Sequence, residues 1–328
     1  MRRIFVLLFS MAVALLLASG TVVALPSQKP DDTPMIDGRV RAIEQVGTNI
    51  WIGGRFSGVQ QRNGSLLGSV ANVAVFDSKT EKYMKGVAPR LGGTDSEVFD
   101  MTLYGEDVLI AGNFPGPTSN EGNLVLVDGD SGKVIRWYNA PSLKSVQGAR
   151  KLGRIYGGGR SLTAFEFATG KKLWTKAKTE VDAARAHDSK PAYRDLELDA
   201  DGQTIWAACI CDKVGGKAAK ALVKLDTEGN HDATWLTHAG TGAFGQSVVD
   251  HDGKLYLAAG GSDFVGEYDK AARGERGWVR DTSGSAQAVE VYEGQLVVGG
   301  HFYYAGDDKA DKCGAGRPGE PQLDPNGE

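Results

Sequence analysis

The amino-acid sequence predicts an all-β protein, a β-propeller of about six or seven four-stranded blades, the last of them incomplete. A strand signal followed by two small residues recurs about every fifty residues along the chain. A second strand signal, ending in an acidic residue, follows most copies of the first. Glycine accounts for 45 of the 328 residues, which suits many tight turns better than long helices. A repeat of this length with several short strands is typical of propeller blades.

The first strand signal of each repeat closes a hairpin. An alternation of apolar residues leads into a turn such as Asp252-Gly253, and three β-forming residues and a small pair follow. We expect the small pair to let neighbouring backbones approach each other closely. The six copies of the triplet and pair lie at 50–54, 108–112, 155–158, 205–208, 255–259 and 296–300.

The second strand signal predicts another hairpin in each repeat. Its five copies end in an acidic residue and lie at 73–77, 124–128, 162–166, 222–226 and 265–269. The acid can accept backbone N–H bonds across the following turn, where a glycine supplies the positive φ. An aromatic ring eight or nine residues beyond the acid is expected to pack between blades, and four units place a tryptophan there: Trp137, Trp174, Trp235 and Trp278. Tyr83 or Met84 takes this place in the first unit.

The segments 127–137 and 165–174, each an aliphatic strand, an acid, a turn and a tryptophan, resemble the pyrroloquinoline-quinone-like repeats of the quinoprotein alcohol dehydrogenase-like propellers. The small pair, turn and aromatic residue are also similar to kelch repeats. The resemblance covers about residues 40 to 302 and implies the fold. Some members of the first family are quinone enzymes, with an adjacent cysteine pair under the cofactor, and others only bind partners. Here Cys209-Ile210-Cys211 interrupts that pair, which argues against the quinone activity.

The sequence divides into four parts. Residues 1–24 have the layout of a secretory signal, with Arg2-Arg3, an apolar run and a small residue at Ala24. The run is about long enough to span a bilayer, so an uncleaved anchor is the alternative. A polar linker at 25–38 precedes the propeller at 39–302, and a polar tail fills 303–328. We therefore predict a secreted or extracytoplasmic protein, with N-terminal membrane anchoring as the alternative.

The repeat count is uneven, because six first hairpins are followed by five second ones. A closed ring must pair its last blade or leave a strand edge bare. We expect the chain to be truncated, or another segment to complete the sixth blade.

Export implies a compartment in which disulfides form. The three cysteines are Cys209, Cys211 and Cys313. Cys209 and Cys211 lie two residues apart on one predicted strand, where a bond between them would be strained. A bond from one of them to Cys313 is open, and the odd number leaves one thiol free or paired outside this chain.

Polar residues directly after the small pair are the candidate ligand-binding residues. His301 follows the last pair, and Arg55, Asn113 and Arg160 occupy corresponding places in earlier repeats. Four polar residues at equivalent positions could rim a shared central pocket. The simpler interpretation is that they are ordinary loop residues.

Motifs for cofactors and metals are weak. The glycine-rich strings at 240–245 and 314–319 match a dinucleotide fingerprint by letter but lack its strand-then-helix context. The aspartate pairs at 128/130 and 199/201 fit hairpin turns better than calcium loops, and those at 307, 308 and 311 fit a solvated loop. The histidines lack the close pairing of a zinc site, and no metal site is predicted. We predict no cofactor, with calcium or pyrroloquinoline quinone as alternatives.

No nucleophile motif or catalytic set stands out, so no catalytic residue is predicted. The net charge is −4, without a basic patch along the chain, which argues against a nucleic-acid partner. Membrane contact is expected only through the N-terminal segment. We predict an exported, non-catalytic β-propeller that binds a protein, carbohydrate or other small ligand at one face. The alternatives are a quinone-dependent or sugar-oxidising dehydrogenase and a membrane-anchored scaffold of the cell envelope.

Overall fold

The computed structural model describes residues 33–182, 190–237, 239, 242–303 and 305–306. The predicted signal, most of the linker and most of the polar tail lie outside the described residues, as does Cys313.

The described residues form 27 β-strands and one 3-10 turn at Arg150–Leu152, so the all-β prediction is confirmed. The first fourteen strands are β1 Met35–Ile36, β2 Arg39–Val46, β3 Asn49–Arg55, β4 Gly58–Gln60, β5 Leu66–Ser69, β6 Val73–Asp77, β7 Glu97–Tyr104, β8 Asp107–Pro115, β9 Gly122–Asp128, β10 Val134–Trp137, β11 Ser145–Ala149, β12 Arg154–Gly158, β13 Leu162–Glu166 and β14 Lys172–Lys176. The others are β15 Thr179–Glu180, β16 Ala192–Leu198, β17 Thr204–Ile210, β18 Lys213–Val214, β19 Lys217–Ala218, β20 Leu222–Asp226, β21 Phe244–His251, β22 Lys254–Gly260, β23 Phe264–Asp269, β24 Arg276–Thr282, β25 Ala286–Tyr292, β26 Gln295–Gly300 and β27 Ala305–Gly306.

Six antiparallel sheets follow one another along the chain, and each begins with one of the predicted first hairpins. In strand order they are sheet 1 (β2-β3-β6), sheet 2 (β7-β8-β9-β10), sheet 3 (β11-β12-β13-β14), sheet 4 (β16-β17-β20), sheet 5 (β21-β22-β23-β24-β27) and sheet 6 (β25-β26). The five predicted second strand signals supply the third strands of sheets 1 to 5. A fourth strand completes the predicted second hairpin in sheets 2, 3 and 5, whereas within the described residues sheets 1 and 4 have three strands rather than the predicted four. Among the described residues, sheet 6 has the first hairpin alone, which matches the uneven count in the sequence.

Two small accessory sheets are inserted between main strands. One is β1-β4-β5, whose hairpin β4-β5 lies between the second and third strands of sheet 1. The other is β15-β18-β19, whose hairpin β18-β19 lies at the corresponding place in sheet 4. Both hairpins therefore extend from the same end of a second strand.

The first strands of successive sheets lie against each other, in the order β2, β7, β11, β16, β21 and β25. Hydrogen bonds link equivalent positions on three of them, because Thr102 bonds Gln147 at 3.3 Å and Gln147 bonds Glu197 at 3.5 Å. One layer away, Asp100 bonds the backbone N–H of Val146. The two contacts occur in the same order along both strands, because Thr102 follows Asp100 on β7 and Gln147 follows Val146 on β11. The strands β7 and β11 therefore run in the same direction.

The hydrophobic core consists of separate clusters between neighbouring sheets. Five clusters each draw one face from each of two successive sheets, for example Val73 and Val75 of sheet 1 with Val98 and Ile110 of sheet 2. A sixth packs sheet 1 against its accessory sheet. Each of the four predicted tryptophans lies against another aromatic ring: Trp137 with Phe114, Trp174 with Tyr156, Trp235 with Trp206 and Trp278 with Tyr256. Trp235 is buried, whereas Trp278 is 38% exposed.

The acidic residues at the ends of the third strands hold the turns that follow them, as the sequence predicts. Asp128 accepts hydrogen bonds from the backbone N–H and the hydroxyl of Ser131, at 2.8 and 2.6 Å. Asp269 accepts the backbone N–H groups of Ala271 and Ala272. Gly132 in the first of these turns has a φ of 70°, which only glycine adopts without strain.

The small pairs permit close backbone approach, also as predicted. A side chain on Gly300 would overlap the carbonyl oxygen of Ser285 on the neighbouring segment of its own hairpin. Gly54 and Gly112 have the same relation to the carbonyl oxygens of Arg39 and Glu97. The second residue of these pairs is therefore the one that must stay without a side chain.

Two single alanine substitutions in the last pair test this conclusion. Gly300→Ala is expected to lower the free energy of unfolding by roughly 1–3 kcal/mol, because the added methyl group forces the two strands apart. Gly299→Ala is the matched control, since a methyl group there would meet only the side chain of Ala288, at 3.8 Å. Urea unfolding of the two variants would contradict the argument if both lost the same stability.

Candidate functional site

Large side chains occupy an equivalent position in all six main sheets, and in five of these sheets a β-bulge interrupts the pairing of the first strand at this position. This position comes immediately before a first-strand residue whose partner on the second strand is one of the two small residues. A bulge redirects a side chain out of the regular alternation of a strand. We call this set the bulge layer; it contains Arg41, Phe99, Lys144, Arg194, Gln246 and Gln287. In sheet 3 the pairing is regular, and Lys144 immediately precedes β11.

Three cations of the bulge layer influence each other's ionisation. The pKa of Lys144 is lowered to about 8, mainly by burial. The charge of Arg194 and, to a smaller extent, that of Arg41 contribute to this lowering, whereas the charge of Glu97 opposes it. Burial and the charge of Arg41 also lower the pKa of Arg194. Glu97 accepts a hydrogen bond from Nε of Arg41 at 2.9 Å. The cluster thus holds three cations beside one carboxylate that is already engaged.

Lys144 has an aromatic neighbour as well. Its ammonium nitrogen lies 3.1 Å from the centroid of the Phe99 ring, which places the charge on the negative face of the ring. None of the ion pairs between described residues involves Lys144. The ammonium group is therefore held by a ring rather than by a counter-ion, and it can accept an anion.

One layer further along the strands, two aspartates tie neighbouring first strands together. The carboxylate of Asp100 accepts the backbone N–H of Met101 on its own strand and that of Val146 on the next one, at 2.9 and 2.7 Å. Asp195 does the same with Leu196 at 2.8 Å and Val248 at 2.9 Å, and it also accepts the hydroxyl of Ser247. These acids join sheets 2 and 3 and sheets 4 and 5, so their role is structural.

A third layer contains glutamates that are difficult to ionise. Burial raises the pKa of Glu197 to about 8, with further contributions from Asp195, Asp250 and Glu290 that Lys270 partly offsets. Burial and the charge of Glu290 raise the pKa of Glu44 to about 7. Acidic side chains that resist ionisation are therefore concentrated behind the bulge layer, whereas cations are concentrated within it.

The four predicted rim residues lie at the ends of the second strands or just beyond them, and three have direct relations to neighbouring segments. Arg55 donates to the carbonyl oxygen of Thr94 at 3.0 Å, and Asn113 pairs with Glu97. His301 lies 3.1 Å from the amide of Gln287, a bulge-layer residue. His301 thus contacts a bulge-layer residue, and Asn113 pairs with Glu97, which binds Arg41 of that layer. The contact of Arg55 is to a loop residue outside the layer. Within the described ranges, no hydrogen bond or ion pair joins any two of the four.

Arg160, the fourth rim residue, is tied down by its backbone. Its carbonyl oxygen accepts two hydrogen bonds from Thr179, at 2.8 and 2.9 Å. Its side chain is exposed. This arrangement fits the simpler interpretation, an ordinary loop residue.

The sequence analysis missed the cationic cluster because its members are about fifty to one hundred residues apart and no local run of charge reveals them. A usable signal was present in the short patterns Val98-Phe99-Asp100-Met101 and Tyr193-Arg194-Asp195-Leu196. In each pattern two residues, the second of them an aspartate, separate two apolar positions that a regular strand would separate by one residue. This indicates a bulge followed by a buried acid.

The disulfide expectation needs a correction. Cys209 and Cys211 form a disulfide, and both are buried. The sequence analysis disfavoured this pair because it treated both residues as part of one regular strand. Cys211 instead lies just past the end of β17, where the chain leaves the sheet, and the two Cα atoms are 5.4 Å apart. That separation is within the usual range for a disulfide.

The remaining motifs behave as turns and strands. Residues 244–245 of the first glycine-rich string already belong to β21, so a strand follows it. Asp199 accepts hydrogen bonds from its neighbour Ala200 and from Lys270, at 2.9 Å each. Lys270 also donates to Asp250 at 2.7 Å. The string at 314–319, the acids at 307, 308 and 311, and the histidines at 187 and 238 lie outside the described residues.

Over the part of the chain that the structure describes, no group of three or more His, Cys, Asp or Glu side chains is arranged to hold a metal ion. Over the same part, no helix has the length and apolarity needed to cross a bilayer.

Comparisons with known proteins give the fold and no family. No family model matches the chain, and no curated protein matches its sequence. Among solved structures, the chain is similar to the computationally designed Ika8 protein, with a TM-score of 0.50 and 11% identity over 79% of this chain and 80% of that one. At this identity the likeness concerns the fold alone. The resemblance to the quinone-type and kelch repeats stays a prediction.

Proposed function

We propose that this protein is an exported, non-catalytic β-propeller that binds an anionic ligand at the end of the sheets where the bulge layer lies. The six main sheets would be the blades, with the first strands around the axis. The succession of first strands supports this arrangement. So does the effect of Glu290 in sheet 6 on the pKa of Glu44 in sheet 1, because it requires the first and last sheets to be near each other.

The observation that carries the proposed ligand chemistry is the convergence of Arg41, Lys144 and Arg194 beside one engaged carboxylate. Like charges held together in a partly buried place repel each other, and an anion relieves that repulsion. Guanidinium groups bind carboxylates in a bidentate manner, which adds geometric selectivity. A carboxylate group, free or on an acidic sugar or a protein side chain, is therefore the chemistry that this end fits best.

The accessory hairpins give a reason for placing ligand binding at this end. Both β4-β5 and β18-β19 leave their sheets at the ends of the second strands, where those strands pair with the beginnings of the first strands. Binding residues are often carried by loops that a rigid scaffold positions. The two hairpins would enlarge the surface around the cationic cluster.

Calorimetric titration with acetate, succinate and citrate tests this proposal. Affinity is expected to rise with the number of carboxylates, because citrate can reach all three cations. Arg194→Gln is expected to weaken citrate binding roughly tenfold or more, the usual effect of losing one charged hydrogen bond. Arg276→Gln, on the exposed strand β24, is the control and should leave the affinity unchanged. Equal affinities of the two variants, or no binding of citrate, would contradict the proposal.

The enzyme alternative predicts a different result. A quinone-dependent dehydrogenase would bind pyrroloquinoline quinone with calcium and reduce an artificial dye when a sugar or alcohol is added. We expect no dye reduction, because the cysteine pair of such enzymes is interrupted here at Ile210. Sequencing the N-terminus of the native protein separates the exported form, which would start near Leu25, from the membrane-anchored alternative.

A further inference from the structure

We propose that Lys144 is a reactive amine that captures 2-oxo acids as a covalent imine, with the carboxylate of the acid held by Arg41 and Arg194. This inference rests on the proposed anion binding and names the ligand class of the same site. It assigns Lys144 a covalent role, whereas the proposed function needs only its charge.

The position of Lys144 separates it from ordinary surface lysines. It is half-buried, its ammonium nitrogen lies 3.1 Å from the Phe99 ring centroid, and the guanidinium charges of Arg194 and Arg41 act on it. Other lysines have acceptors: Lys254 lies 2.9 Å from Asp269, and Lys270 bonds both Asp199 and Asp250. Among the described residues no ion pair involves Lys144, although the charge of Glu97 acts on it. A lysine next to other cations is an arrangement that activates an amine as a nucleophile.

Protonation supports the same assignment. The pKa of Lys144 is lowered to about 8 by burial and by the neighbouring charges of Arg194 and Arg41. At pH 8 about half of the amine would then be neutral, roughly a hundredfold more than for a lysine of ordinary pKa. Only the neutral amine has the lone pair that attacks a carbonyl carbon.

The reaction is a condensation without any change of oxidation state. The neutral nitrogen of Lys144 attacks the carbonyl carbon, a C–N bond forms, and the carbonyl oxygen becomes a hydroxyl group. That hydroxyl group then leaves as water after it takes up a proton, while the nitrogen loses its remaining protons and a C=N bond forms. One amine and one carbonyl compound thus give one imine and one water, and no oxidant or reductant is needed.

The two guanidinium groups would select a 2-oxo acid over a neutral aldehyde. In a 2-oxo acid the carbonyl carbon is directly bonded to the carboxylate. If Arg41 and Arg194 hold the carboxylate, the carbonyl carbon lies one bond from the anchored group and next to the amine. Such positioning raises the local concentration of the reacting groups, an advantage that a neutral aldehyde lacks.

Reductive trapping tests the proposal on the full-length protein. Glyoxylate with sodium cyanoborohydride at pH 8 converts the imine to a stable carboxymethyl-lysine, which peptide mass spectrometry locates. We expect Lys144 to be labelled at least tenfold faster than exposed lysines such as Lys151. Propionaldehyde should show no such preference. Lys144→Arg should remove the fast label, and Lys151→Arg should retain both the label at Lys144 and citrate binding.

The outcomes distinguish the two proposals. If citrate binds but glyoxylate labels Lys144 no faster than exposed lysines, the covalent inference is wrong and the anion site stands. If citrate does not bind, the proposed function fails. Without an anion site nothing would favour glyoxylate, so any fast label at Lys144 would form equally with glyoxylate and propionaldehyde. Succinate is expected to slow glyoxylate labelling of Lys144 in native protein, and a lack of protection would also count against the inference.

Discussion

Asp195→Ala is expected to lower the free energy of unfolding by roughly 2–4 kcal/mol, because the backbone N–H groups of Leu196 and Val248 would lose their acceptor in a partly buried place. The change also removes the bond from the hydroxyl of Ser247, so two hydrogen bonds between sheets 4 and 5 depend on this one carboxylate, from Val248 and Ser247. A methyl group fits the position, since Ala42 and Ala288 stand at equivalent places in sheets 1 and 6. The loss would therefore report hydrogen bonding rather than poor packing.

Asp201→Ala is the matched control for that measurement. Asp201 accepts one backbone N–H, from Gln203, at 2.8 Å in an exposed turn. Water can replace this acceptor, so we expect a loss below about 1 kcal/mol. Urea unfolding followed by tryptophan fluorescence would give both values. A loss for Asp195→Ala as small as that of the control would show that the carboxylate does not join the sheets.

The sequence was sufficient to predict the strands because their signals are local. A hairpin needs a turn and two short apolar runs, and all of these fall within about twenty residues, as in 244–269. The acid of each third strand likewise acts on its own turn, so the role of Asp128 follows from the neighbouring letters. The closeness of backbones at Gly54 and Gly112 was also predictable, because only small residues recur there.

The candidate site was less predictable because its residues come from different repeats. His301 and Arg55 were chosen as polar residues after a small pair, and the structure places them beside the bulge layer rather than in it. The side chains that converge belong to the first strands rather than the second ones. Most of them lie where β-bulges interrupt the regular alternation of side chains between the two faces of a sheet. Locating a bulge requires the pairing register of two strands, which a single sequence shows only indirectly.

Glu197→Gln is expected to make the protein more stable at alkaline pH and to flatten the dependence of its stability on pH. Burial, together with Asp195, Asp250 and Glu290, raises the pKa of Glu197 to about 8, against an ordinary value of 4.5. Between these two values the folded state keeps a proton that the unfolded state releases, so rising pH favours unfolding. Stability from this group is complete below about pH 4.5, falls as the pH rises towards about 8, and changes little above that.

Glutamine keeps the size of the side chain and cannot ionise, so the variant avoids the cost of the buried charge. At pH 8.5 we expect Glu197→Gln to exceed the native protein by roughly 4–5 kcal/mol, and at pH 5 by less than about 1 kcal/mol. Glu293→Gln, in an exposed turn, is the control and should follow the native curve. Urea unfolding at pH 5, 6.5 and 8.5 measures these differences. Parallel curves for native protein and Glu197→Gln would mean that Glu197 ionises freely in the folded state, and the acidic surroundings inferred behind the bulge layer would then be wrong.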